Sequence, residues 1–429
     1  MASYSETLER IYHLRGGIID LRLDRVAGAL DLFGHPEQKF PSIHIAGTNG
    51  KGSTSAMLQR ILSLAGYRTA LYTSPHLVSF TERIKIGDEE ITEDEVVAIA
   101  DEIWQRTSSA AIALTYFEVV TVMAFIYFAR QSTDLAVVEV GLGGRYDATN
   151  VIMPLVSLIT TISKDHEAFL GADLLSIAGE KAGIIKHGVP VVCGAVYPEV
   201  QALFRRTAEE RGSKPYFFGA DFSFSLKNEG FFDYTGLKQY YSNLSVRLRG
   251  RHQKYNASVA LAALEVVQDR FPVAEEAVRT GLVSVQWPGR LEVIVDKPTV
   301  VLDGAHNGEG ALALVEALEV YRGRKIKLLF AAMSDKDWQL MLTRLSEVVS
   351  EAVFTKVAMD RSADPAELAK SFADKMVTRS HADSRAALRL LIDESVPDDV
   401  IVVAGSLYLV GEVRPMLQEF AAAQHKFDG

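Results

Sequence analysis

The segment Gly47-Thr48-Asn49-Gly50-Lys51-Gly52-Ser53 carries the residue types that hold a polyphosphate. Glycines let backbone N–H groups approach phosphate oxygens, a helix starting there adds positive potential, and Lys51 supplies a mobile charge. Two residues separate Gly47 from Gly50, fewer than the usual P-loop carries, and Gly52 stands between Lys51 and Ser53. A plain glycine turn with a surface lysine is the competing reading. Phosphoryl chemistry also needs a hard divalent cation held by oxygen ligands and an occasional imidazole. Ser74, Glu139 and His166 each end or follow an apolar run, so the three could converge at one sheet edge. Equally, Ser74 could be a turn residue before Pro75, Glu139 a partner of Arg145, and His166 a helix cap. In Leu302-Asp303-Gly304-Ala305-His306-Asn307, Asp303 could accept from sugar hydroxyls and His306 could reach phosphates, although a lone Asp-Gly turn says little.

The elements that must position these groups follow from the hydrophobic pattern. Residues 42–46 read as a strand running into the glycine loop. Residues 54–65 read as a helix, with Met57, Leu58, Ile61 and Leu62 on one side and Gly66 closing it. Further strands are predicted at 69–73, 135–140, 156–161 and 189–193. Their alternation with helical patterns predicts an N-terminal, P-loop-type, mostly parallel α/β sheet domain over residues 1–288. From Tyr216 to Arg249 the period changes and predicts an antiparallel hairpin at the sheet edge, followed by a helix at 254–270. Trp287-Pro288-Gly289-Arg290 reads as a linker. Beyond it, strands at 300–302, 327–330, 352–355 and 400–403 predict a smaller Rossmann-like α/β domain over residues 289–429.

Composition narrows the class. A chain of 429 residues exceeds one ordinary core, and 48% apolar with 23% charged residues is globular usage. The net charge of −10 argues against a nucleic-acid partner. The apolar stretch 110–129 contains Glu118, whose burial in lipid would cost roughly 2–3 kcal/mol, so a buried helix is expected there rather than a membrane span. A single cysteine, Cys193, fits a reducing compartment, and the acidic start of the chain lacks the apolar core of an export signal. A cytoplasmic protein is expected.

The string Gly-Thr-Asn-Gly-Lys-Gly-Ser after an apolar strand resembles the loop of the folylpolyglutamate synthase and dihydrofolate synthase family, within the Mur ligase superfamily. The resemblance continues in order through Ser74-Pro75-His76-Leu77, Glu139-Val140-Gly141-Leu142-Gly143-Gly144-Arg145, Gly179-Glu180-Lys181-Ala182-Gly183 and Asp303-Gly304-Ala305-His306-Asn307. It implies an ATP-dependent carboxylate–amine ligase that adds L-glutamate to tetrahydrofolate, and to dihydropteroate, through an acyl phosphate. It implies nucleotide contacts at Gly50, Lys51, Gly52, Ser53, Asn256, Arg290 and Asp303, with Lys51, Lys181 and His306 in catalytic roles. Two Mg2+ ions are implied, with Ser74, Glu139, His166 and Lys181 as metal residues. Lys181 would serve as a carbamate, which requires a neutral amine and hence a lowered lysine pKa; pattern alone reads it as a helix lysine paired with an acid.

Thr115, Tyr116, Phe117 and Glu118, with Tyr146, Asp147 and Ala148, match the family's dihydropteroate contacts. An aromatic pair beside a carboxylate suits a flat pterin; a helix cap with core aromatics fits the same residues. Ser406 and Tyr408 could shape the glutamate site. Nucleotide contacts on both sides of Pro288-Gly289 imply closure that excludes water from an acyl phosphate. Ser163-Lys164 and Gly308 depart from the family pattern. The absence of an Asn-Lys-x-Asp string counts against a GTPase switch. The partners expected are small molecules (folate or dihydropteroate, L-glutamate, ATP), with the chain a monomer.

Overall fold

Short apolar runs, buried along their whole length, make the centre of the first sheet. In this computed structural model, which describes residues 2–14, 23–164, 171 and 173–427, the strands are β1 (Ser42–Ala46), β2 (Thr69–Tyr72), β3 (Ile84–Ile86), β4 (Glu89–Glu90), β5 (Leu135–Glu139), β6 (Val156–Ile159), β7 (Val191–Cys193) and β8 (Pro215–Phe217). They pair in the order β4-β3-β2-β5-β1-β6-β7-β8. Every pairing from β2 to β8 is parallel, while β3 and β4 add antiparallel strands at one edge. Every residue of β1, β2, β5 and β6 is buried, as required of parallel strands covered by helices.

The helix Tyr116–Arg130 is buried from Glu118 to Phe128, which its nearly all-apolar sequence demands in water. Its Phe125 and Phe128 share a core with Tyr72 and Ile103. A second cluster joins Ala46 and Ile159 to Ile177, Phe204 and Phe217. Among the described residues, no helix is long and apolar enough to cross a membrane.

Several predicted boundaries shift for a common reason. β2, β5 and β6 stop at Tyr72, Glu139 and Ile159, short of the predicted 73, 140 and 161, because the chain leaves the sheet to build the loops described below. The helix predicted at 54–65 begins at Lys51, with Gly50 at φ 88° as its N-cap.

The expected edge hairpin is instead a three-stranded antiparallel sheet of its own: β9 (Ser223–Leu226), β10 (Phe232–Thr235) and β11 (Tyr240–Leu244), in the order β11-β10-β9. Glu265, from the helix Arg251–Val267, holds it. Its carboxylate accepts from the Tyr234 hydroxyl (2.7 Å) and from the N–H groups of Leu237, Lys238 and Gln239 in the β10–β11 turn.

The remaining strands are β12 (Glu292–Asp296), β13 (Thr299–Leu302), β14 (Ile326–Phe330), β15 (Glu351–Phe354), β16 (Val377–Ser380) and β17 (Val400–Ala404), ordered β12-β13-β17-β14-β15-β16. All pairings are parallel except that of β12 with β13. β12 and β16, unpredicted, lie at the two edges, where Glu292, Asp296, Thr378 and Arg379 break the apolar run. The chain divides into two compact units: Met1–Arg247 with Lys254–Val285, and Leu248–Gln253 with Gln286–Gly429.

Candidate active site

Parallel register brings the ends of β2, β5, β1 and β6 side by side. Ile45 lies opposite both Glu139 and Leu158, and Tyr72 lies opposite Val138, so the loops after these strands emerge at one carboxyl edge, where open α/β sheets hold ligands.

The glycine loop leaves β1 there and is pinned from β6. The Thr48 N–H donates to the Thr161 carbonyl (2.8 Å), and the Asn49 N–H to Thr161 Oγ1 (3.2 Å). Thr160 Oγ1 donates to the Asn49 carbonyl (2.8 Å). Ser163, where the family pattern has glycine, fastens the loop further. Its N–H donates to Thr48 Oγ1, whose hydroxyl returns a bond to the Ser163 carbonyl, both at 3.1 Å, and Asn49 Nδ2 donates to Ser163 Oγ at 3.2 Å.

Two glycines are obligatory in this loop. At Gly47 (φ 146°) a Cβ would overlap Thr160 Oγ1, and at Gly50 (φ 88°) it would overlap Asn256 Oδ1. Asn256 therefore sits against the loop, while Gly52 and the buried Ser53 lie in the first turn of the helix Lys51–Leu64.

Two ammonium groups converge on this loop. Lys51 Nζ donates to the carbonyls of Gly47 (3.0 Å) and Thr48 (3.2 Å), and Lys181 Nζ donates to the same Gly47 carbonyl at 3.0 Å. Lys181 ends the helix Leu174–Lys181 and is only 5% exposed. Two cations aimed at one oxygen repel each other, and an anion beside them relieves that repulsion.

One strand away, Glu139 ends β5 with 4% exposure and accepts from the Ser74 N–H at 3.3 Å. A carboxylate beside a serine, with water and phosphate oxygens to complete the shell, is a donor set that suits Mg2+. Among the described residues, no group of three or more His, Cys, Asp or Glu gathers to make an all-protein cage. His166, the expected imidazole ligand, lies outside the described residues.

At the start of the helix Tyr116–Arg130, Thr115 and Glu118 form a capping box. Glu118 accepts from the Thr115 N–H (2.7 Å) and from Arg25, whose Nε and Nη2 reach Oε1 at 3.2 and 3.1 Å. Cap and ion pair therefore occupy the carboxylate assigned to pterin N–H groups. Asp147 is similarly employed. Oδ2 accepts from the N–H groups of Gly141 and Leu142, and Oδ1 from the N–H and hydroxyl of Thr149. Burial pushes its carboxyl pKa up, against those bonds. Tyr146 is 45% exposed and Ala148 buried.

Tyr116 packs on Tyr12 (ring centroids 5.9 Å apart) and Phe117 on Tyr72 (6.4 Å). Arg83, which sequence reasoning missed, is 3% exposed; its Nε donates to His76 Nδ1 at 2.8 Å and its guanidinium lies 5.7 Å from the Tyr116 ring centroid. A planar guanidinium beside aromatic rings is suited to an aryl carboxylate. Its only sequence signal is the capping box Ser79-Phe80-Thr81-Glu82 immediately before it.

In the second unit, Asp303 follows β13. Its Oδ2 accepts from the Leu291 N–H and its Oδ1 from the Ala305 N–H, both at 2.9 Å. One lone pair on each oxygen remains for a sugar hydroxyl. The His306 ring meets the Gly304 carbonyl through Nδ1 at 2.8 Å; a carbonyl can only accept, so Nδ1 carries the proton. Asn307 caps the helix Gly308–Leu318, accepting from the Gly310 N–H. Arg290 Nη1 donates to the Gly289 carbonyl at 3.0 Å.

A glycine loop presenting a lysine at a helix start, with a buried carboxylate one strand away, defines a P-loop α/β enzyme carrying a second α/β unit. Residues 45–264 match the family model of the Mur ligase middle domain, and residues 289–407 that of the Mur ligase glutamate ligase domain. The chain is 34% identical over 412 residues to the dihydrofolate synthase/folylpolyglutamate synthase of Bacillus subtilis, covering 92% of this chain and 95% of that one. The structure of Escherichia coli FolC in complex with DHPP and ADP superposes with a TM-score of 0.90 at 30% identity, covering 97% of this chain and 98% of that one. The bifunctional folylpolyglutamate synthase/dihydrofolate synthase of Yersinia pestis complexed with AMPPNP and Mn ion gives 0.89 at 33% identity, with the same coverage of 97% and 98%. The chain belongs to the folylpolyglutamate synthase/dihydrofolate synthase family of the Mur ligases, and is an ATP-dependent ligase.

Proposed function

We propose that the chain joins L-glutamate to the carboxylate of a folate, and to dihydropteroate, at the expense of ATP. The observation that carries this reading is the glycine loop with Lys51 folded onto it and the Lys181 side chain reaching the same Gly47 carbonyl, one strand from the buried Glu139. A glycine loop presenting Lys51 at a helix start favours a polyphosphate. In the first step a carboxylate oxygen of the folate attacks the γ-phosphorus, and the bond to the bridging oxygen breaks to release ADP. In the second, the glutamate nitrogen attacks the acyl carbon, loses a proton, and expels inorganic phosphate.

Lys51 supplies charge to the transferring phosphoryl group, and the loop N–H groups orient it. Gly50, Gly52, Ser53, Asn256, Arg290 and Asp303 are carried into the proposal as nucleotide contacts by the resemblance, and His306 as a catalytic residue. Tyr116 and Phe117 offer aromatic surface to the pterin, and Tyr146, Asp147 and Ala148 border it. Because Asp147 and Glu118 are held by other partners, we assign them to shaping the pocket. Mg2+ held by Ser74 and Glu139, with a second ion beside a carbamylated Lys181, would neutralise phosphate charge.

The test is phosphate release from ATP by purified protein, with dihydropteroate or tetrahydrofolate and with glutamate. Release should require both the pterin acid and the amino acid. Lys51→Ala should lower it by about a hundredfold or more, the scale of losing one charged stabiliser, without shifting the melting temperature by more than about 3 °C. Full activity in that variant, or release indifferent to glutamate, would overturn the reading.

A further inference from the structure

Arg290 leads out of the linker, and its backbone is clamped on both sides. The preceding Gly289 N–H donates to Glu292 Oε2 (2.9 Å), and the Gly289 carbonyl accepts from the Gly304 N–H (2.8 Å). The following Leu291 N–H donates to Asp303 Oδ2 (2.9 Å). The clamp has strain to hold, since Leu291 stands at φ 47°, where a branched side chain is disfavoured.

Glu292 is itself fixed from the helix Leu407–Phe427. Arg414 Nη2 donates to Oε1 at 2.7 Å, and Nε contacts Oε1 at 3.2 Å and Oε2 at 3.0 Å. This is a two-point ion pair, only 17% and 21% exposed, and its geometry orients the carboxylate as well as neutralising it. Oε2 carries the Gly289 bond as well as the arginine contact, so rotating the carboxylate would break the bond that holds the Gly289 N–H.

We infer that Arg414 and Glu292 are positioning residues for Arg290: the pair holds the Gly289 amide, and thereby aims the Arg290 guanidinium at the nucleotide phosphates. The inference rests on the assignment of Arg290 as a nucleotide contact. Nothing in the local sequence of Arg414 marks it for this role, since it lies 122 residues from its partner on a different element.

A double-mutant cycle on the full-length ligase tests it, with Arg290→Ala, Arg414→Gln and the two combined, reading KM for ATP, KM for glutamate and kcat. Arg414→Gln should raise KM for ATP by about tenfold to a hundredfold, as misplacement by about 1 Å does. KM for glutamate should stay within about twofold, on the side where no contact has changed. The combined variant should be no worse than Arg290→Ala alone. Hydrogen exchange in a 287–292 peptide should quicken in Arg414→Gln.

Additive effects in the cycle, or unchanged exchange of the Gly289 amide, overturn the positioning role. An Arg290→Ala enzyme with wild-type KM for ATP overturns instead the nucleotide assignment beneath it. Arg414→Lys, which keeps the charge but not the two-point geometry, covers the case where Arg414→Gln fails to fold; a wild-type KM for ATP in Arg414→Lys counts against the inference.

Discussion

Lys181 shows how much a single residue's surroundings can add to its sequence. In the chain it is one helix lysine among several; in the fold its Nζ shares the Gly47 carbonyl with Lys51. Converting one of those cations to an anion exchanges repulsion for attraction, and carbamylation does this: the neutral amine nitrogen bonds to the carbon of CO2 and a proton is released. Native mass spectrometry in bicarbonate should show one added CO2 that is lost on acidification and absent from Lys181→Ala. Acetate or formate should restore part of the ligase activity of Lys181→Ala. Absence of both the adduct and the rescue would refute carbamylation. The loop residues were legible in the sequence because glycine and lysine in a short string have few other uses. Thr160, Thr161 and Ser163, which hold that loop, were not, because they are ordinary polar residues more than a hundred positions away. Arg83 and Arg25 stayed hidden likewise, since a partner set by tertiary folding leaves no local pattern.

At the scale of elements, burial on both faces is what made the strands legible. β1, β5, β6, β14 and β17 are apolar and buried throughout or nearly so, while the edge strand β16 is mostly polar and β12 keeps only Val293-Ile294-Val295 between two acids, half-buried. Within β1, His44 is the exception: a fully buried imidazole between β5 and β6, bonded through Nε2 to Thr149 Oγ1 at 2.8 Å, its Nδ1 buried without a hydrogen-bond partner among the described residues. Burial, aided by the Lys186 charge, lowers its pKa from 6.5 to about 3. Between those two values the unfolded chain binds a proton that the folded chain refuses. Stability therefore rises with pH across this window, and is lost as pH falls below 6.5 until it levels near 3. At pH 5 the loss from this one group is about 2 kcal/mol. Urea unfolding of wild type and His44→Gln at pH 7.5 and pH 5 should show the variant losing about 2 kcal/mol less on acidification. Parallel losses would mean that His44 is protonated in the folded strand.

For the whole molecule, the linker pattern Trp287-Pro288-Gly289-Arg290 and the division of the chain into two units fall on the same stretch, since the main segment of the second unit runs from Gln286. Each unit has its own apolar core: the second is built on β13, β14, β15 and β17, with Leu328, Phe330, Ala352 and Val402 at its centre, all fully buried. Burying separate cores makes separate cooperative transitions possible in one chain. Leu328→Ala removes a side chain from the middle of β14 and leaves a cavity that its neighbours cannot fill, at a cost of about 2–5 kcal/mol. In a unit of this size that lowers the melting temperature by about 5 °C or more. Calorimetry should then show one component of the endotherm moving down while the other keeps its position and enthalpy. The matching substitution in the first unit, Val137→Ala at the centre of β5, should move the other component alone. If either substitution shifts the whole endotherm as a single transition, the two cores melt as one cooperative unit and the division has no thermodynamic counterpart.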